Sequence, residues 1–593
     1  MAHRIELRSR PDQHFVYSGR SVLVVDLDGC ITGGGMQGFF VDNTRLLSRF
    51  EVSLDGERLK AFAASPVRGD GFLSYADVPR RADLPEHSVF LETSHFVGEG
   101  LRSELCVVSY AWQTGTINAE LAVDLAADFA DHEETRTGDR QQDGPIESDW
   151  DPDLGELTFR YCHPRLERAV AIRVERAPSP VRLDDGRLVV RVELRPHVPV
   201  ELVLSTEPIL DGRRTRVEPR TFASVVTPLA TVRRRLRHEA PQLTTTNATV
   251  ARAWETAIED LASLPLGLDD APATPIAGLP LYQQFFGRDS LTIAWQALLA
   301  MPLMMRDTLR ANAAWRGRVI DDWLDEEPGK MIHQARWGPL SALGINPFGR
   351  YYGDYATVPD FLVMLGQYLS WTNDVQTVRS LLPAARDALS WLERYADIDR
   401  DGFIEYVTRS EGGVKHQGWK DSNDAVVDEE GGLVEPPIAS SELQAYWYAA
   451  LGQAAFCFLR AGDAGYALEL RQKADALKRR FDQAFWMEDA GFYAMALGPD
   501  KRQVRSISSN TGHLLAAGIV PRDKAPRVAR RLLAPDLFSG WGVRTLSSDN
   551  PPTTRSATTA EASGRWRTAP SPSASPATGA GRNWRCSRGR SSI

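Results

Sequence analysis

The sequence predicts a multidomain protein in which an antiparallel β-sandwich is followed by an all-α domain. Hydrophobic residues alternate in short runs from about Ser21 to Thr206, and they recur with a helical period from about Thr246. From Pro551 to the end the chain has no Leu, Val, Phe or Tyr, so it lacks the side chains that build a core. We therefore expect a β domain over 1–235, a helical domain over 246–550, and a disordered segment over 551–593.

The first region has the pattern of strands joined by hairpins. The run from Phe50 to Leu54 alternates and is closed by Asp55-Gly56, and the run from Leu188 to Leu194 alternates in the same way. This spacing of short strands and turns is typical of a β-sandwich. The acidic stretch from Asp131 to Asp153 interrupts it and is predicted to be a solvated loop with no function.

Bulk composition excludes several classes of protein. A net charge of -9 over 593 residues argues against a nucleic acid partner, which would favour a basic face.

The N-terminus lacks an uninterrupted apolar run and no stretch approaches the roughly 20 apolar residues of a membrane span, so we expect a cytoplasmic protein. The five cysteines form no C-x-x-C pair. We expect no disulfide framework, no metal and no cofactor, and oligomeric state is not predicted.

The second region has helices without intervening strand runs. After a start at Asn247–Trp254, the predicted helices are Leu291–Leu299, Thr308–Ile320, Pro359–Ser370, Val375–Tyr395, Ser441–Leu459, Ala464–Phe485 and Pro526–Leu533. The loops between them are rich in aromatic side chains, Arg, Asp and Glu. Such loops on a rigid helical scaffold are typical of a binding rim for a polyhydroxylated substrate.

The most informative of these loops is Gln417-Gly418-Trp419-Lys420-Asp421-Ser422. It places a carboxylate beside an indole, a cation and a hydroxyl, as a sugar-cleaving site requires around its proton donor. We expect Asp421 to be a general acid, kept protonated because Trp419 and Ser422 desolvate it. Lys420 would act in the opposite direction if its amine points inward. The alternative is an Asp that caps a helix or lies in a surface loop.

Further candidates surround this loop. The predicted substrate-binding residues are Arg288, Asp289, Tyr352, Gln417, Trp419, Lys420, Glu442 and Gln444. Arg288 and Asp289 could hold vicinal hydroxyls or only stabilise a helix start. Glu442 is the local rival of Asp421 for a catalytic role, or a solvated helix end. Tyr352 and Trp419 could stack on sugar faces or anchor a core.

One acidic segment imitates a calcium loop. Asp397, Asp399 and Asp401 have the spacing of its first ligands, but Thr408 stands at the twelfth position, where an EF-hand requires Glu. We therefore predict a turn in which Asp side chains cap the backbone. The histidines lack metal spacing and are predicted to be loop or core residues; they are His333, His416 and His513.

Several motifs occur in a shared order that resembles the bacterial amylo-α-1,6-glucosidases and glycogen-debranching-type proteins. They are Gly38–Ser48, Phe286-Gly287-Arg288-Asp289-Ser290, Glu327-Pro328-Gly329-Lys330, Tyr351-Tyr352-Gly353-Asp354, Asp399–Tyr406, Gln417–Ser422 and Glu442–Tyr446. The resemblance covers about residues 15 to 550. It implies an N-terminal β-supersandwich followed by an (α/α)6 toroid. It also implies hydrolysis of α-glucosidic bonds in an oligosaccharide or polysaccharide by two carboxylates, in an inverting mechanism.

Beyond Asn550 the chain departs from that family pattern. Reading the tail codons one base earlier permits Pro-Ala-Tyr-Asn-Pro-Leu-Ser-Tyr-His from Pro551–Thr559, which matches how the family continues. We therefore interpret the tail as a frame-shifted remnant and the toroid as incomplete. In the family the catalytic base is a Glu in the later helices, so we expect this chain to lack it and to be nearly inactive. The alternative function is a non-catalytic glycan-binding pseudoenzyme.

Overall fold

A computed structural model describes residues 13–78, 87–111, 115–217 and 228–551. The predicted frame-shifted tail, from residue 552 onward, lies outside the described residues. The described chain confirms the predicted fold class, because antiparallel β-sheets precede a helical domain.

The β domain consists of strands joined largely by tight turns. Its strands are β1 Gln13–Ser18, β2 Ser21–Asp26, β3 Gly38–Val41, β4 Thr44–Leu47, β5 Arg49–Leu54, β6 Glu57–Arg58, β7 Lys60–Arg68, β8 Gly71–Asp77, β9 Val89–Val97, β10 Leu101–Ser109, β11 Ile117–Ala126, β12 Ile146–Asp151, β13 Glu156–His163, β14 Leu166–Arg176, β15 Arg182–Asp184, β16 Arg187–Leu194, β17 Val200–Leu210 and β18 Arg213–Arg214.

Three antiparallel sheets contribute to the core of the β domain. Their strand orders are β1-β2-β3-β4, β12-β13-β14-β17-β10-β9-β8-β7 with β18 on β17, and β15-β16-β11-β5-β6. Strand β10 alternates buried and partly exposed residues along its whole length, as expected for a strand with one face in the core. Leu23, Leu105, Val123 and Val170 from the three sheets are fully buried in one cluster. A sandwich core of this kind confirms the hydrophobic pattern read from the sequence.

The prediction of a solvated acidic loop over Asp131–Asp153 is only partly confirmed, since most of the stretch after residue 135 is exposed but its beginning is buried and it is not a loop throughout. The stretch contains a short helix, α1 His132–Thr137, and strand β12. Asp131 caps α1 and is buried, as is Glu134, whose carboxylate accepts from the backbone N–H of Asp131. The many acidic residues suggested a solvated segment, but the carboxylates of Asp131 and Glu134 accept hydrogen bonds from backbone N–H groups instead of facing water.

The helical domain places short strands only in its connections. Its helices are α2 Pro228–Glu239, α3 Ala248–Ser263, α4 Gly287–Gln296, α5 Pro302–Ala314, α6 Pro339–Ala342, α7 Thr357–Thr372, α8 Val375–Arg394, α9 Ser441–Ala461, α10 Ala464–Phe485, α11 Asn510–Ala517 and α12 Ala525–Leu532. The short strands are β19 Phe285–Phe286, β20 Gln334–Ala335, β21 Ala439–Ser440, β22 Trp486–Met487, β23 Phe492–Tyr493, β24 Ala496–Leu497 and β25 Gln503–Val504.

Connections of unequal length distinguish the two ends of the helical domain. Short connections join α4 to α5, α7 to α8, α9 to α10 and α11 to α12 at what we call the far end. Long connections, 264–286, 315–356, 395–440 and 486–509, lie at the opposite end, which we call the mouth. Because successive helices are antiparallel, all the long connections meet there. Among the described residues, no helix combines the length and apolar character needed to cross a bilayer.

The β domain packs directly on one long connection of the helical domain. Asn43 Oδ1 accepts a hydrogen bond from the backbone N–H of Trp337 at 3.4 Å, and Asp131 Oδ2 accepts one from Leu340 at 3.2 Å. The guanidinium of Arg20 lies 5.3 Å from the centroid of the Trp337 ring. The segment around Asn43, which belongs to one of the sequence motifs, therefore supports a connection that reaches the mouth.

Candidate active site

Arg288, in the first turn of α4, joins three segments at the mouth. Its Nη1 lies 2.8 Å from the carbonyl oxygen of Gly418 and 3.0 Å from Asp354, while its Nη2 lies 3.1 Å from Asp421. Burial opposes the charge of Arg288, but Asp354 and Asp421 outweigh it and keep its pKa above the ordinary value. The guanidinium therefore holds the loop that carries Asp421 against the start of α4.

Asp354 fixes the opposite side of this guanidinium. Its Oδ1 accepts hydrogen bonds from the backbone N–H groups of Ala356 at 2.7 Å and Thr357 at 3.1 Å. These groups begin α7 and would otherwise lack partners. Since Asp354 is buried, Arg288 supplies the positive charge that a buried carboxylate requires.

Asp421 is more open than the sequence predicted. Its side chain is 44% exposed, and its described ion pair is with Arg288. Trp419 does not cover it, because the indole packs on His513 with ring centroids 4.2 Å apart. The expected desolvation of Asp421 by Trp419 is therefore wrong. The structure instead provides an accessible carboxylate beside a guanidinium.

Lys420 points away from that accessible region. Its Nζ is buried and donates to the carbonyl oxygen of Thr545 at 3.0 Å. Burial lowers the pKa of Lys420 to about 8, against the opposing effect of Glu442. The prediction that Lys420 binds substrate does not fit this geometry, because its amine ties the loop to the segment near residue 545.

Glu442, at the start of α9, is also buried behind the mouth. Its Oε1 accepts from the Ser440 hydroxyl at 2.8 Å and its Oε2 accepts from the Asn510 amide at 2.8 Å. The solvated helix end considered for this residue is wrong, since Glu442 is 1% exposed. Through these two hydrogen bonds, Glu442 positions α9 against α11, and its burial separates it from the solvent.

Three other predicted sugar ligands are structural. The Tyr352 hydroxyl donates to the carbonyl oxygen of Trp315 at 3.0 Å in the core between the domains. The amide of Gln417 donates to Asp325 at 2.9 Å. Gln444 donates to the carbonyl oxygen of Ile404 at 2.7 Å. All three side chains are buried, so stacking or direct sugar contact by them does not fit the structure.

The accessible candidates are fewer than predicted. Besides Asp421, the partly exposed predicted residues are Arg288, Asp289 and Trp419. Asp289 follows Arg288 in the first turn of α4, where a carboxylate also favours the helix N-terminus. Three of these four side chains are charged, and the fourth is an indole.

Two titratable residues at the mouth were not predicted as site residues. Asp360 lies in the first turn of α7, and burial raises its pKa to about 7 against the opposing charge of Arg288. His333 is buried near Arg288 and Asp421, and burial lowers its pKa. The sequence held one signal for Asp360, since it lies in the first turn of an apolar helix, six residues after Asp354. Its proximity to Arg288 depends on the tertiary fold.

Asp325 supports the whole arrangement from behind. Its Oδ2 accepts from the Tyr351 hydroxyl at 2.7 Å and from the Gln417 amide at 2.9 Å, and its Oδ1 accepts from the backbone N–H of Arg409 at 2.7 Å. Asp325 is buried, with a positive φ of 52°. It therefore binds the connection 315–356 and the connection 395–440 into one rigid unit.

The calcium-like segment is a self-capped turn, as predicted. Asp397 accepts from the backbone N–H of Gly402 at 3.0 Å, and Asp401 accepts from that of Phe403 at 2.8 Å. The three aspartates lie close enough together to share a cation. The ammonium group of Lys501 occupies that position, 2.9 Å from Asp399 and 2.8 Å from Asp401. A side-chain cation of the chain itself thus balances the cluster.

Sequence comparison assigns the chain to a family. Residues 16–205 match the model of the N-terminal domain of some glycogen debranching enzymes, and residues 256–556, just over half of the chain, match that of amylo-α-1,6-glucosidase. The chain belongs to the amylo-α-1,6-glucosidase family. Arg288 and the Asp421 loop lie within the matched range. No curated protein matches the chain.

Solved structures of other carbohydrate-active proteins are similar to this member of the amylo-α-1,6-glucosidase family. A bacterial glucoamylase complexed with acarbose is 10% identical with a TM-score of 0.48, covering 88% of this chain and 76% of its own. A human-microbiome protein described as a kojibiose phosphorylase is 8% identical with a TM-score of 0.49, covering 81% and 69%.

A rhamnosidase of the GH78 family from Bacillus sp. GL1 is 14% identical with a TM-score of 0.37. The alignment covers 70% of this chain, which spans 37% of the rhamnosidase's length. Because all three TM-scores are below 0.5, the family assignment rests on the sequence match.

Proposed function

We propose that the protein is a glycoside hydrolase of the debranching type that cleaves α-glucosidic bonds, with Asp421 as the general acid. The observation that carries this is an accessible carboxylate held by Arg288 at the end of the domain where all the long connections meet. Arg288, Asp289 and Trp419 are the proposed sugar-binding residues, since they are the predicted ligands that remain partly exposed. The proposed substrate is an oligosaccharide or polysaccharide glucoside.

The proposal includes the loss of the catalytic base. Inversion needs a second carboxylate roughly 6.5 to 9.5 Å from the first, free to activate water. Asp354 caps α7 and pairs with Arg288, and Glu442 is occupied by Ser440 and Asn510. We therefore propose that the base lies outside residues 246–550. We also propose a cytoplasmic location. The net charge of -9 supports the proposal that the protein has no nucleic acid partner.

The test measures glucose released from a panel of α-1,6- and α-1,4-glucosides. We expect the present chain to release little, and a gene with the reading frame restored after Asn550 to be active. In the restored protein, Asp421→Asn should lower the rate by roughly 10²- to 10⁴-fold. The exposed Asp500→Asn is the matched control and should leave the rate unchanged. Full activity of the restored Asp421→Asn variant would disprove the assigned role.

A pseudoenzyme is the second candidate, because Asp421 is ion-paired and Glu442 is inaccessible in this chain. It predicts glycan binding that is unaffected by Asp421→Asn, with no hydrolysis by either the present or the restored protein. Isothermal titration with maltoheptaose, run beside the glucose assay, separates the two functions.

A further inference from the structure

Three exposed apolar side chains lie on a connection at the mouth and have no assigned role. They are Val319, Ile320 and Trp323, which are 57%, 61% and 38% exposed. We call these three side chains the Trp323 platform. They belong to one turn within the connection 315–356, at the mouth. Single exposed apolar residues are common, but three within five positions on one loop indicate a binding surface.

The loop that carries the platform is rigid. Asp321 and Glu326 exchange backbone hydrogen bonds of 3.1 and 2.9 Å, and Glu326 Oε1 accepts from the backbone N–H of Arg318 at 2.6 Å. The carbonyl oxygen of Leu324 accepts from the backbone N–H of Tyr352 at 2.9 Å. A surface fixed before binding loses little conformational entropy when a ligand arrives.

The platform is continuous with the segment that carries the proposed acid. The Ser410 hydroxyl donates to the carbonyl oxygen of Trp323 at 2.6 Å, and a Cβ on Gly412 would lie 3.1 Å from the Trp323 ring. Two residues beyond Trp323, Asp325 binds Gln417, which precedes Asp421 by four positions. The Trp323 ring and Asp421 therefore belong to a single hydrogen-bonded rim.

The side chains around the platform suit a neutral polyhydroxylated ligand. Asp322 adjoins Trp323 and forms an ion pair of 3.5 Å with Arg409. The Asp322 side chain is 70% exposed and that of Arg409 is 38% exposed, and Arg409 also pairs with the buried Glu327. An aromatic face bordered by carboxylate and guanidinium groups can stack on a pyranose ring and hydrogen-bond its hydroxyls. We propose that the Trp323 platform is an outer subsite that binds glucose units of an α-glucan beyond the unit held at Asp421. This proposal rests on the proposed function for the substrate class.

The test measures retention of the full chain in native gels containing glycogen, with isothermal titration of maltoheptaose and maltose. Trp323→Ala should weaken glycogen and maltoheptaose binding by about five- to tenfold and leave maltose binding within about twofold. Trp323→Phe should restore most of the affinity. The control is Trp371→Ala, because Trp371 is 60% exposed and lies near the far end of α7, about 21 Å along the helix from Thr357.

Equal retention of Trp323→Ala and the unchanged chain, or no glycan binding by the unchanged chain, would overturn the subsite. The other possible occupant of the Trp323 platform is a second copy of the chain. Sedimentation velocity would detect the resulting oligomer. If Trp323→Ala dissociates an oligomer without changing glycan retention, the subsite is likewise overturned. Hydrolysis by the frame-restored protein tests the proposed function separately. Trp323-dependent retention without any glucose release by the restored protein contradicts the hydrolase alone, and retention that does not depend on Trp323, with glucose release, contradicts the subsite alone.

Discussion

At the scale of single residues, the electrostatics of the mouth depend on one guanidinium among several carboxyl groups. Arg288 pairs with Asp354 and Asp421, while Asp289 and Asp360 are further acidic neighbours. The cluster holds more acidic groups than basic ones, and burial raises the pKa of Asp360, with a smaller contribution from the charge of Asp354. Arg288 therefore serves both to hold the loop and to permit so many carboxyl groups in a small volume.

Replacing Arg288 should be costly for stability. Arg288→Met leaves Asp354 buried without its cation, and loss of one partner of a buried pair costs roughly 3 to 5 kcal/mol. Urea denaturation of the purified chain measures this loss. The control is Arg502→Met, since the Arg502 side chain is 87% exposed and should contribute less than about 0.5 kcal/mol. A loss no larger than that of the control would contradict the bridging role.

Asp360 predicts a pH dependence of stability. Its folded pKa of about 7 exceeds the ordinary 3.8, so between these values the folded state holds a proton that the unfolded state has released. Stability should therefore fall as pH rises from about 4 to 7, by at most about 1.4 kcal/mol per pH unit. Asp360→Asn should remove this fall of stability with rising pH.

Thermal unfolding at two pH values measures the effect of Asp360. The melting temperature of Asp360→Asn, relative to the unchanged chain, should be higher at pH 8 than at pH 5. Asp500→Asn, on an exposed turn, should show no such change with pH. An Asp360→Asn difference that is the same at both pH values would disprove a proton held at this position.

At the scale of elements, α9 organises the connection that precedes it. Gln444, in its first turn, accepts from the backbone N–H of Ile404 at 2.9 Å and donates to the carbonyl oxygen of the same residue at 2.7 Å. A side-chain amide thus replaces a strand partner for a buried segment. The connection 395–440 that carries Asp421 is anchored at this point.

Removing that amide should release the segment. Gln444→Leu leaves the backbone N–H and carbonyl of Ile404 without partners, at a cost of about 1 to 3 kcal/mol for each buried group. Hydrogen exchange should show faster exchange of the Ile404 amide, with lower stability to urea. Gln472→Leu, on an exposed face of α10, is the control. Unchanged protection at Ile404 would contradict the anchoring role.

The helix boundaries show which structural features could be predicted from the sequence. Helix α10 has the predicted bounds of 464–485, because a regular apolar stripe lies between an Asp cap and a change of period. Helix α5 begins six residues before the predicted start. Pro302 is its first residue, and the prediction left the buried Met304 and Met305 outside the helix. Periodicity locates a helix better than its ends.

The candidate site was less predictable than the helices. The sequence identified the Asp421 loop, and the structure joins it to Arg288 across more than a hundred residues. Other candidates are buried and have structural roles. Tyr352, Glu442 and Gln444 form hydrogen bonds with residues of distant segments, and no local sequence pattern indicates those partners. Residue type and order therefore predicted the chemistry, while access depended on tertiary packing.

At the scale of the whole molecule, the two domains are joined where the backbone leaves little room. A Cβ on Gly338 would lie 2.3 Å from Asp131 Oδ2 and 2.9 Å from the Cβ of Asn43. Glycine therefore permits the close approach of the β domain to the connection 315–356. The stability of the mouth is thereby linked to that of the β domain.

Two glycine substitutions should have opposite effects. Gly338→Ala should destabilise the chain by about 1 to 3 kcal/mol through overpacking at the domain contact. Gly452→Ala, inside α9 with no atom near its added Cβ, should stabilise it by up to about 1 kcal/mol. Differential scanning calorimetry measures both. Combining Gly338→Ala with Asp131→Ala should lose less than the sum of the two single changes, and strict additivity would contradict the proposed contact.

The unequal lengths of the helix connections have a practical consequence for handling the protein. The far end consists of short turns, such as those at 373–374 and 462–463, and none of the proposed sugar ligands lies there. A biotin or dye attached at that end would orient the molecule on a sensor surface with the mouth facing the solution. Glycan capture could then be measured on an oriented layer, without the label obstructing the rim.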